Sequence, residues 1–433
     1  MISCFEIKNF SCIRHLVLKA DFAEGKAPNG YLDMPLMPFV QVGEKKAHRV
    51  CPVLAVYGAN ASGKTTVLRA MKVLQGLIVK GWKLSYYQPN LLAKNTQTES
   101  SQFSLTFWKM GTCYNYKIEI SNKGILKECL KVVNTQTVVF CVQNAVIQQW
   151  NGRELTLSEE SIKNSFQNRC IHAVTGMQIK SFLNEIATSL PGINSHLILA
   201  WEYILQDVLF CQGDIPFDVG LQRLAQTFDG NQEEKDQLAE REMLSYLRQL
   251  DINIVSLKIN KKPLSNLFQD LPDNHPLKGN LELLSDEQYS EMKTAHRDEL
   301  GNLVWFDLSM ESEGTRRIIG LLGFLLAAIR EGKTVFIDEI DQSIHSLLVI
   351  ELIKLFKEKR INSSKAQLIF TIHNTDLLAA KLLGLSEVAI VSHLGFKGSY
   401  IMRLSDVSGL RNVDDFRRRY LRGDFGGIPF PYV

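Results

Sequence analysis

The sequence lacks a long hydrophobic run, because no stretch of about 18 consecutive apolar residues occurs among its 433 positions. Its first residues, MISCFEIKNF, also lack the basic start and apolar stretch of a signal peptide. Without such segments, we do not expect this chain to be a membrane transporter. We therefore expect a cytoplasmic protein with no membrane partner.

Paired cysteines and an excess of charge of one sign are also missing. The eight cysteines are scattered without a C-x-x-C pair, which favours reduced thiols over a zinc site or a disulfide framework. The formal net charge is only +3, so nucleic-acid binding would need a local basic patch. Internal repeats and low-complexity tracts are absent, and the 45% hydrophobic content is typical of a globular protein with a sizeable core.

What the sequence does contain is the stretch LAVYGANASGKTTVLRAM, in which a glycine-rich loop lies between an apolar strand and the start of a helix. Glycines allow backbone N–H groups at a helix N-terminus to approach a polyphosphate. In such a loop, Lys64 would neutralise the β- and γ-phosphates and Thr65 would bind Mg²⁺. The alternative is a glycine turn that happens to precede a helix. The pattern G-x-x-x-x-G-K-[ST] is matched by Gly58, Ala59, Asn60, Ala61, Ser62, Gly63, Lys64 and Thr65, and Thr66 follows it as a further candidate for binding phosphate.

A second chemical signal is TVFIDEID, an apolar strand that ends in adjacent acids. Burying two carboxylates costs free energy unless a cation is near. With a phosphate-binding loop in the same chain, Asp338 is predicted to hold Mg²⁺ through water, and Glu339 is predicted to act as the general base. The alternative is a strand end at which two hydrated acids meet solvent.

Two further segments are candidates for contacts to phosphate. The strand LIFTIHNTD ends in His373, which we expect at the sheet edge near the γ-phosphate, although a structural histidine is the alternative. In ESEGTRR, Ser312, Gly314 and Thr315 precede an apolar helix. A small hydroxyl and a glycine there predict a second anion site, and a simple helix cap is the alternative.

The pattern of strands and helices predicts an α/β P-loop NTPase fold. An antiparallel strand pair (2–18), a surface insertion (22–50) and a β meander (103–142) are predicted, followed by helices (158–250). From residue 303 strands alternate with helices, which predicts a mostly parallel central sheet. We expect three parts: an N-terminal ATPase portion (1–157) with an antiparallel β subdomain, an inserted helical lobe (158–300) and a C-terminal ATPase portion (301–433). Residues 260–300 fit no expected element.

The order of these motifs resembles that of ATP-binding-cassette ATPases, which include SMC-type and OLD proteins. More narrowly, the segments ESEGTRRI, FIDEIDQSIHSLL, IFTIHNTDLL and RRYLRGDFGGIPF are similar to bacterial AAA family ATPases of abortive-infection and other phage-defence systems. The resemblance implies an ABC-type ATPase head that binds ATP. It also implies a head-to-tail dimer, or a larger oligomer of such dimers, in which Ser312 and Gly314 of one subunit close over ATP held by residues 58–65 of the other.

Some positions depart from the family pattern. Glu311, Glu313 and Thr315 stand where the transporter signature Leu-Ser-Gly-Gly-Gln has Leu, Gly and Gln, and His345 stands where transporters have Asp. The glutamine of the metal-contacting loop stays open among Gln88, Gln97 and Gln102. The motifs alone do not distinguish ATP from GTP.

The resemblance leaves two main hypotheses about output. OLD nucleases carry a Toprim nuclease domain after the ATPase part, whereas about 60 residues follow His373 here and hold no spaced acidic cluster for two metals. This favours an ATPase subunit that acts through a separate nuclease or toxin. The alternative is an SMC-like clamp on DNA, and a scaffold with little turnover is a third option. The basic cluster that could contact DNA lies beside Asp414 and Asp415, so a salt-bridged surface helix also fits; its members are Arg417, Arg418, Arg419 and Arg422.

Overall fold

The computed structural model describes residues 1–23, 38–40, 47–151, 159–189, 195–211, 217–263, 288–411 and 415–428. The chain divides into two compact units. The first unit comprises Met1–Cys211, Gly332–Asp341 and Ile353–Val433. The second unit comprises Gln212–Glu331 and Gln342–Leu352.

A thirteen-stranded sheet forms the frame of the first unit in the described part of the chain. Its strands are β1 (Ile2–Phe10), β2 (Ile13–Lys19), β5 (Val53–Tyr57), β6 (Ser101–Lys109), β7 (Thr112–Ile120), β8 (Ile125–Val132), β9 (Thr137–Gln143), β10 (Val146–Trp150), β11 (Val208–Cys211), β15 (Thr334–Ile337), β16 (Gln367–Thr371), β17 (Val388–His393) and β18 (Ser399–Arg403). In space these strands follow the order β10-β9-β8-β7-β6-β1-β2-β18-β17-β5-β16-β15-β11. Two short strands, β3 (Pro38–Val40) and β4 (Ala47–Arg49), pair with each other.

One end of this sheet is parallel and the other is antiparallel. Strands β17, β5, β16, β15 and β11 pair in parallel, and β5 and β16 are buried at every position. Continuous apolar strands of this kind are typical of a parallel sheet covered on both faces. Strand β18 pairs antiparallel with β17 and touches β2 at one parallel position, so the antiparallel strands predicted as a separate subdomain continue the same sheet.

Helices cover the first unit through apolar faces with helical spacing. Helix α1 (Lys64–Lys80) buries Val67, Leu68, Met71 and Leu74, which recur every three or four residues and pack in one core with the sheet. The other helices of this unit are α2 (Glu159–Cys170), α3 (Phe182–Ser189), α4 (His196–Glu202), α9 (Asp376–Ala379) and α10 (Phe416–Leu421). Helix α8 (Ser346–Lys357) includes residues of both units.

The second unit combines helices with a small sheet. It contains α5 (Phe217–Gln226), α6 (Gln232–Gln249) and α7 (Glu313–Glu331), and its strands β12 (Ser256–Pro263), β13 (Gln288–Arg297) and β14 (Leu303–Asp307) form an antiparallel sheet. Glycines let α5 and α7 pack closely, because a Cβ added to Gly220 would lie 2.3 Å from the carbonyl oxygen of Gly320. A side chain at Gly220 would therefore separate the two helices.

The boundaries of the observed units differ from those of the predicted domains. Helices α2, α3 and α4 fall in the predicted lobe (158–300), yet Ile162, Phe182 and Leu197 belong to the core of the first unit. Helix α7, assigned by sequence to the C-terminal portion, belongs to the second unit. Strand β11 was missed because a four-residue apolar run has no periodicity that distinguishes it from helix. Much of the predicted insertion (22–50) and of 260–300 lies outside the described residues.

The prediction of eight reduced cysteines is wrong for one pair. Cys129 and Cys141 form a disulfide between β8 and β9, where the two residues face each other in the antiparallel register. Two cysteines 12 residues apart come opposite each other because a tight turn joins these strands. The other six cysteines, Cys4, Cys12, Cys51, Cys113, Cys170 and Cys211, are free thiols. No helix in the described ranges has the length and apolar character needed to span a membrane.

Candidate functional site

The phosphate-binding loop begins where the buried strand β5 ends. Its first glycine, Gly58, has a φ of 152°, and an added Cβ would lie 2.3 Å from the carbonyl oxygen of Val391. At Gly63 φ is 109°, and an added Cβ would lie 2.7 Å from the Ser399 hydroxyl. Both positions therefore exclude any larger residue, which explains why the motif needs glycine there.

Lys64 is held within the loop by backbone oxygens. Its Nζ donates to the carbonyl oxygen of Gly58 at 2.7 Å and to that of Ala59 at 3.1 Å, and the residue is 6% exposed. Burial lowers the pKa of Lys64 from its usual value, while the charges of Glu339, Asp338 and Asp341 oppose that shift. The loop thus carries a cation whose ammonium hydrogens are already directed by the backbone.

The first turn of α1 is prepared for an anion. Gly63 is its N-cap and supplies no side-chain hydrogen bond, and the first turn contains no acidic residue. The N–H groups of a helix N-terminus lack partners within the helix and carry partial positive charge. This end of α1, with Thr65 and Thr66, can therefore accept phosphate oxygens.

Thr65 and Asp338 lie next to each other, although 273 positions separate them in the chain. The Thr65 hydroxyl is 3.2 Å from Asp338 Oδ1, and the Thr371 hydroxyl donates to the same oxygen at 2.6 Å. The three residues follow or end β5, β15 and β16, which are neighbours in the parallel sheet. The carboxyl ends of these strands therefore bring the predicted magnesium ligands together, as expected for parallel sheets.

Glu339 has a backbone conformation that is rare for residues other than glycine. Its φ is 52°, and its N–H donates to the Thr371 hydroxyl at 2.7 Å. Its carboxylate lies 3.5 Å from Nε2 of His373, and the two side chains are 47% and 39% exposed. Left-handed residues of this kind cost free energy and are over-represented at functional sites. The backbone thus turns the second acid toward the open face of the loop.

A third acid fixes the loop that carries His373. Asp341 Oδ2 accepts the backbone N–H of His373 at 3.1 Å and that of Asn374 at 2.7 Å. The Asn374 side chain in turn accepts the N–H of Asp376 at 2.7 Å. These bonds set the direction in which the imidazole leaves the strand.

Together these groups surround an open cleft of about 370 Å³. This is in the size range of small-molecule sites in proteins. Its lining is formed by Cys12, Asn60, Ala61, Ser62, Gly63, Lys64, Thr65, Thr66, Glu339 and His373. The cleft joins the glycine loop, the general-base candidate and the histidine in one place.

Sequence comparison identifies the family. A family model described as "AAA domain, putative AbiEii toxin, Type IV TA system" matches residues 53–136 and 229–379, which together make up more than half of the chain. The chain belongs to this family. It is thus an ATPase-class protein of the AAA and ABC-like P-loop group, and the matched segments contain the glycine loop, the acidic pair and His373. The predicted α/β P-loop NTPase fold class is confirmed.

Other comparisons add distant similarity only. No curated protein matches the chain. Among solved structures, the SMC head domain from Thermotoga maritima aligns with 93% of this chain and 98% of that chain, with 13% sequence identity and a TM-score of 0.42.

The candidate ligands fit magnesium in this AbiEii-type AAA protein. The described residues contain no group of three or more His, Cys, Asp or Glu side chains that could hold a metal ion. The Thr65 hydroxyl and the Asp338 carboxylate offer two oxygen ligands. Two protein oxygens suit Mg²⁺, because this ion keeps several waters and takes its remaining oxygens from phosphates.

The Ser-x-Gly-Thr segment lies in the second unit. Ser312 caps α7, because its hydroxyl accepts the Thr315 N–H at 3.1 Å and lies 2.8 Å from the Thr315 hydroxyl. Gly314 faces the carbonyl oxygen of Ser343, which would be 2.8 Å from an added Cβ. The cap that was the alternative interpretation is therefore present, and the role of this segment toward a partner's ATP stays a prediction.

Sequence reasoning missed Cys12, Thr371 and Asp341. Thr371 is a hydroxyl that directly follows the apolar run 368–370 of β16, and Asp341 is the third acid of DEID, so both carried a signal. Of the glutamine candidates, Gln88 donates to the Ser85 carbonyl oxygen, Gln97 donates to that of Leu91, and Gln102 lies on β6. The described lining of the cleft includes none of the three.

Proposed function

We propose that this chain hydrolyses ATP as a nucleotide-sandwich dimer and controls a separate effector in a bacterial anti-phage defence system. The observation that carries the enzymatic part is the contact of Thr65 with Asp338 beside Glu339 and His373. A phosphate loop alone is enough to bind nucleotide. A metal ligand, a base and a histidine at the same cleft are the additional groups that hydrolysis requires.

ATP enters with its phosphates on the loop of residues 58–65. Backbone N–H groups and the α1 N-terminus take the phosphate oxygens, and Lys64 exchanges its backbone carbonyl partners for the β- and γ-phosphates. Thr65 and Asp338 would hold Mg²⁺, which would supply neutralisation of the phosphate charge.

Hydrolysis follows from the position of the second acid. Glu339 orients a water and accepts its proton as the water oxygen bonds to the γ-phosphorus. The bond between the γ-phosphorus and the β–γ bridging oxygen breaks, which leaves ADP and inorganic phosphate. His373 donates a hydrogen bond to the γ-phosphate and, 3.5 Å from Glu339, keeps that carboxylate directed into the cleft.

The second subunit supplies the other side of the site. Ser312 is exposed and Gly314 and Thr315 are half-buried at the start of α7, where their hydroxyl and N–H groups can reach a γ-phosphate held by a partner. Support for this step comes from the motif order and from the accessibility of these residues. Slow turnover by an isolated subunit is the direct consequence.

The defence role rests on the family. Its description names a putative toxin of a type IV TA system. We favour a separate nuclease or toxin as effector, which a pull-down from phage-challenged host cells would recover. Recovery of this chain alone, before and after challenge, would contradict that proposal.

The same family description favours a second candidate, in which this chain is itself the growth-inhibiting component. Expression of the chain alone in its host separates the two candidates. Growth arrest without any partner would identify the chain as the toxin. Normal growth, with arrest only when the effector is also present, is what we expect.

The SMC-like DNA clamp has weaker support from the described residues. In the basic cluster, Arg417 pairs with Asp376 at 3.3 Å and Arg419 pairs with Asp424 at 3.1 Å. Ion pairs of this kind reduce the positive charge available to phosphates. Binding to duplex DNA with a salt dependence of several charges would revive this alternative.

Two substitutions test the enzymatic proposal. We expect Lys64→Ala to lose ATP binding and Glu339→Gln to keep binding but lose turnover by at least about 100-fold, since general bases contribute about 10²–10⁴-fold. Matched controls are Lys359→Ala and Glu358→Gln, which change exposed residues away from the cleft. Phosphate release and calorimetric ATP binding are the measurements. Wild-type turnover in Glu339→Gln would remove this residue from the base role.

A further inference from the structure

The segment from Asp415 to Ile428 contacts the loop that carries His373. Arg417 on α10 donates from Nε to the Thr375 hydroxyl at 3.2 Å, and its Nη2 lies 3.3 Å from Asp376 Oδ1. Both partners directly follow His373 and Asn374 in the chain. One guanidinium thus holds two side chains of this loop, and the fork geometry of arginine suits such a double contact.

The same segment lies against the start of the phosphate loop. Tyr420 packs its ring edge-to-face on Tyr57, the last residue of β5, with ring centres 5.8 Å apart, and its hydroxyl donates to the Gly427 carbonyl oxygen at 2.8 Å. Gly427 has a φ of 72°, and an added Cβ would lie 2.4 Å from Ile390 and 3.5 Å from the Gly58 Cα. The backbone at Gly427 therefore packs against Gly58, the first glycine of the phosphate loop.

The segment is itself rigidly built. Phe416, Tyr420 and Phe425 are buried, and Asp415 caps α10 by accepting the Arg418 N–H at 2.9 Å. Two of these buried aromatics, Phe416 and Tyr420, lie on the same short helix that presents Arg417 to the His373 loop. The position of Arg417 is consequently fixed relative to β5 and to the phosphate loop.

From these contacts we infer that Arg417 is a positioning residue for ATP hydrolysis, and that the Asp415–Ile428 segment braces the His373 loop against the phosphate loop. The inference rests on the proposed ATPase function. Asp341 holds the backbone of His373 and Asn374 from one side, and Arg417 holds the next two residues from the other. Without Arg417 only one of these two restraints remains on the imidazole.

Arg417→Ala should lower kcat about tenfold while the KM for ATP changes less than about twofold, because displacement of a catalytic group by a fraction of an ångström costs rate rather than ground-state binding. Arg417→Lys, which can make one of the two contacts, should be intermediate. Arg418→Ala is the matched control, since it removes the same charge from the same helix. The melting temperature should not change, because Arg417 and Asp376 are each 46% exposed.

A double-mutant cycle separates positioning from a general structural role. In a His373→Ala protein, adding Arg417→Ala should cause no further loss of kcat, because the imidazole through which Arg417 acts is already gone. Equal kcat for Arg417→Ala and Arg418→Ala, or a full additional loss in the His373→Ala background, would overturn the inference. Turnover of the unmodified protein, measured in parallel, keeps the outcomes distinct, since an unmodified protein that hydrolyses no ATP would refute the ATPase proposal instead.

Discussion

At the scale of single residues, Thr371 is the side chain on which the acidic pair depends. Its hydroxyl donates to Asp338 at 2.6 Å and accepts the Glu339 N–H at 2.7 Å, and the residue is fully buried. One hydroxyl therefore orients the proposed metal ligand and holds the left-handed backbone of the proposed base. Thr371 thus positions the two groups to which the proposed function assigns the contacts with magnesium and water.

Replacing Thr371 with valine should keep the shape of the strand and remove both hydrogen bonds. We expect turnover to fall about 10–100-fold, the usual effect of losing a partner of a metal ligand. Stability should fall by about 1–3 kcal/mol, because the N–H of Glu339 loses its acceptor. Thr371→Ser keeps the hydroxyl and is the control. Steady-state kinetics and urea unfolding are the measurements, and equal turnover in the two variants would contradict this account.

At the scale of secondary-structure elements, the start of α7 combines a structural and a proposed catalytic task. The Ser312 hydroxyl caps the helix through the Thr315 N–H, and an exposed side chain can also meet a ligand. A hydroxyl offers one donor and two acceptor sites, so Ser312 can accept the Thr315 N–H and the Thr315 hydroxyl and keep its own donor for a ligand. Capping and phosphate contact are therefore compatible in one residue.

Ser312→Ala should separate these tasks. Loss of the cap alone predicts a decrease of about 1 kcal/mol in the free energy of unfolding and no effect on nucleotide affinity. Contact with a partner's ATP predicts in addition a loss of turnover of at least about tenfold, with unchanged ATP binding at protein concentrations that keep the chain monomeric. Ser312→Thr retains the hydroxyl and should recover most of the turnover. Equal losses of binding and turnover would argue against a site shared between subunits.

Elements that depend on neighbouring residues could be predicted from the sequence, whereas features that depend on strand pairing could not. The phosphate loop, β5 and α1 follow from neighbouring residues, because glycines, an apolar run and helical spacing act locally. Strand β11, the Cys129–Cys141 pair and the role of Thr371 depend on which strands become neighbours, so no local pattern revealed them. Asp338 and Glu339 were predictable as a pair, whereas the left-handed φ of Glu339 was not.

At the scale of the whole molecule, the proposed function requires two copies. Blocking hydrolysis should trap the closed dimer, because ATP then remains bound between the phosphate loop of one subunit and Ser312 of the other. Light scattering of Glu339→Gln with ATP and Mg²⁺ should therefore give about twice the monomer mass of 49.1 kDa. Without nucleotide, or with Lys64→Ala added, the monomer should return. A trapped mutant that stays monomeric at every ATP concentration would exclude the sandwich dimer.

The 273 positions between Thr65 and Asp338 also matter while the protein is being made. A nascent chain that has emerged from the ribosome only as far as α1 contains the glycine loop but lacks Asp338, the proposed magnesium ligand. We therefore expect full-strength nucleotide binding only when synthesis has passed β15 and β16. A ligand at a hundredfold excess over its Kd adds about 2.7 kcal/mol to stability, so we expect ATP to protect finished chains preferentially from proteolysis.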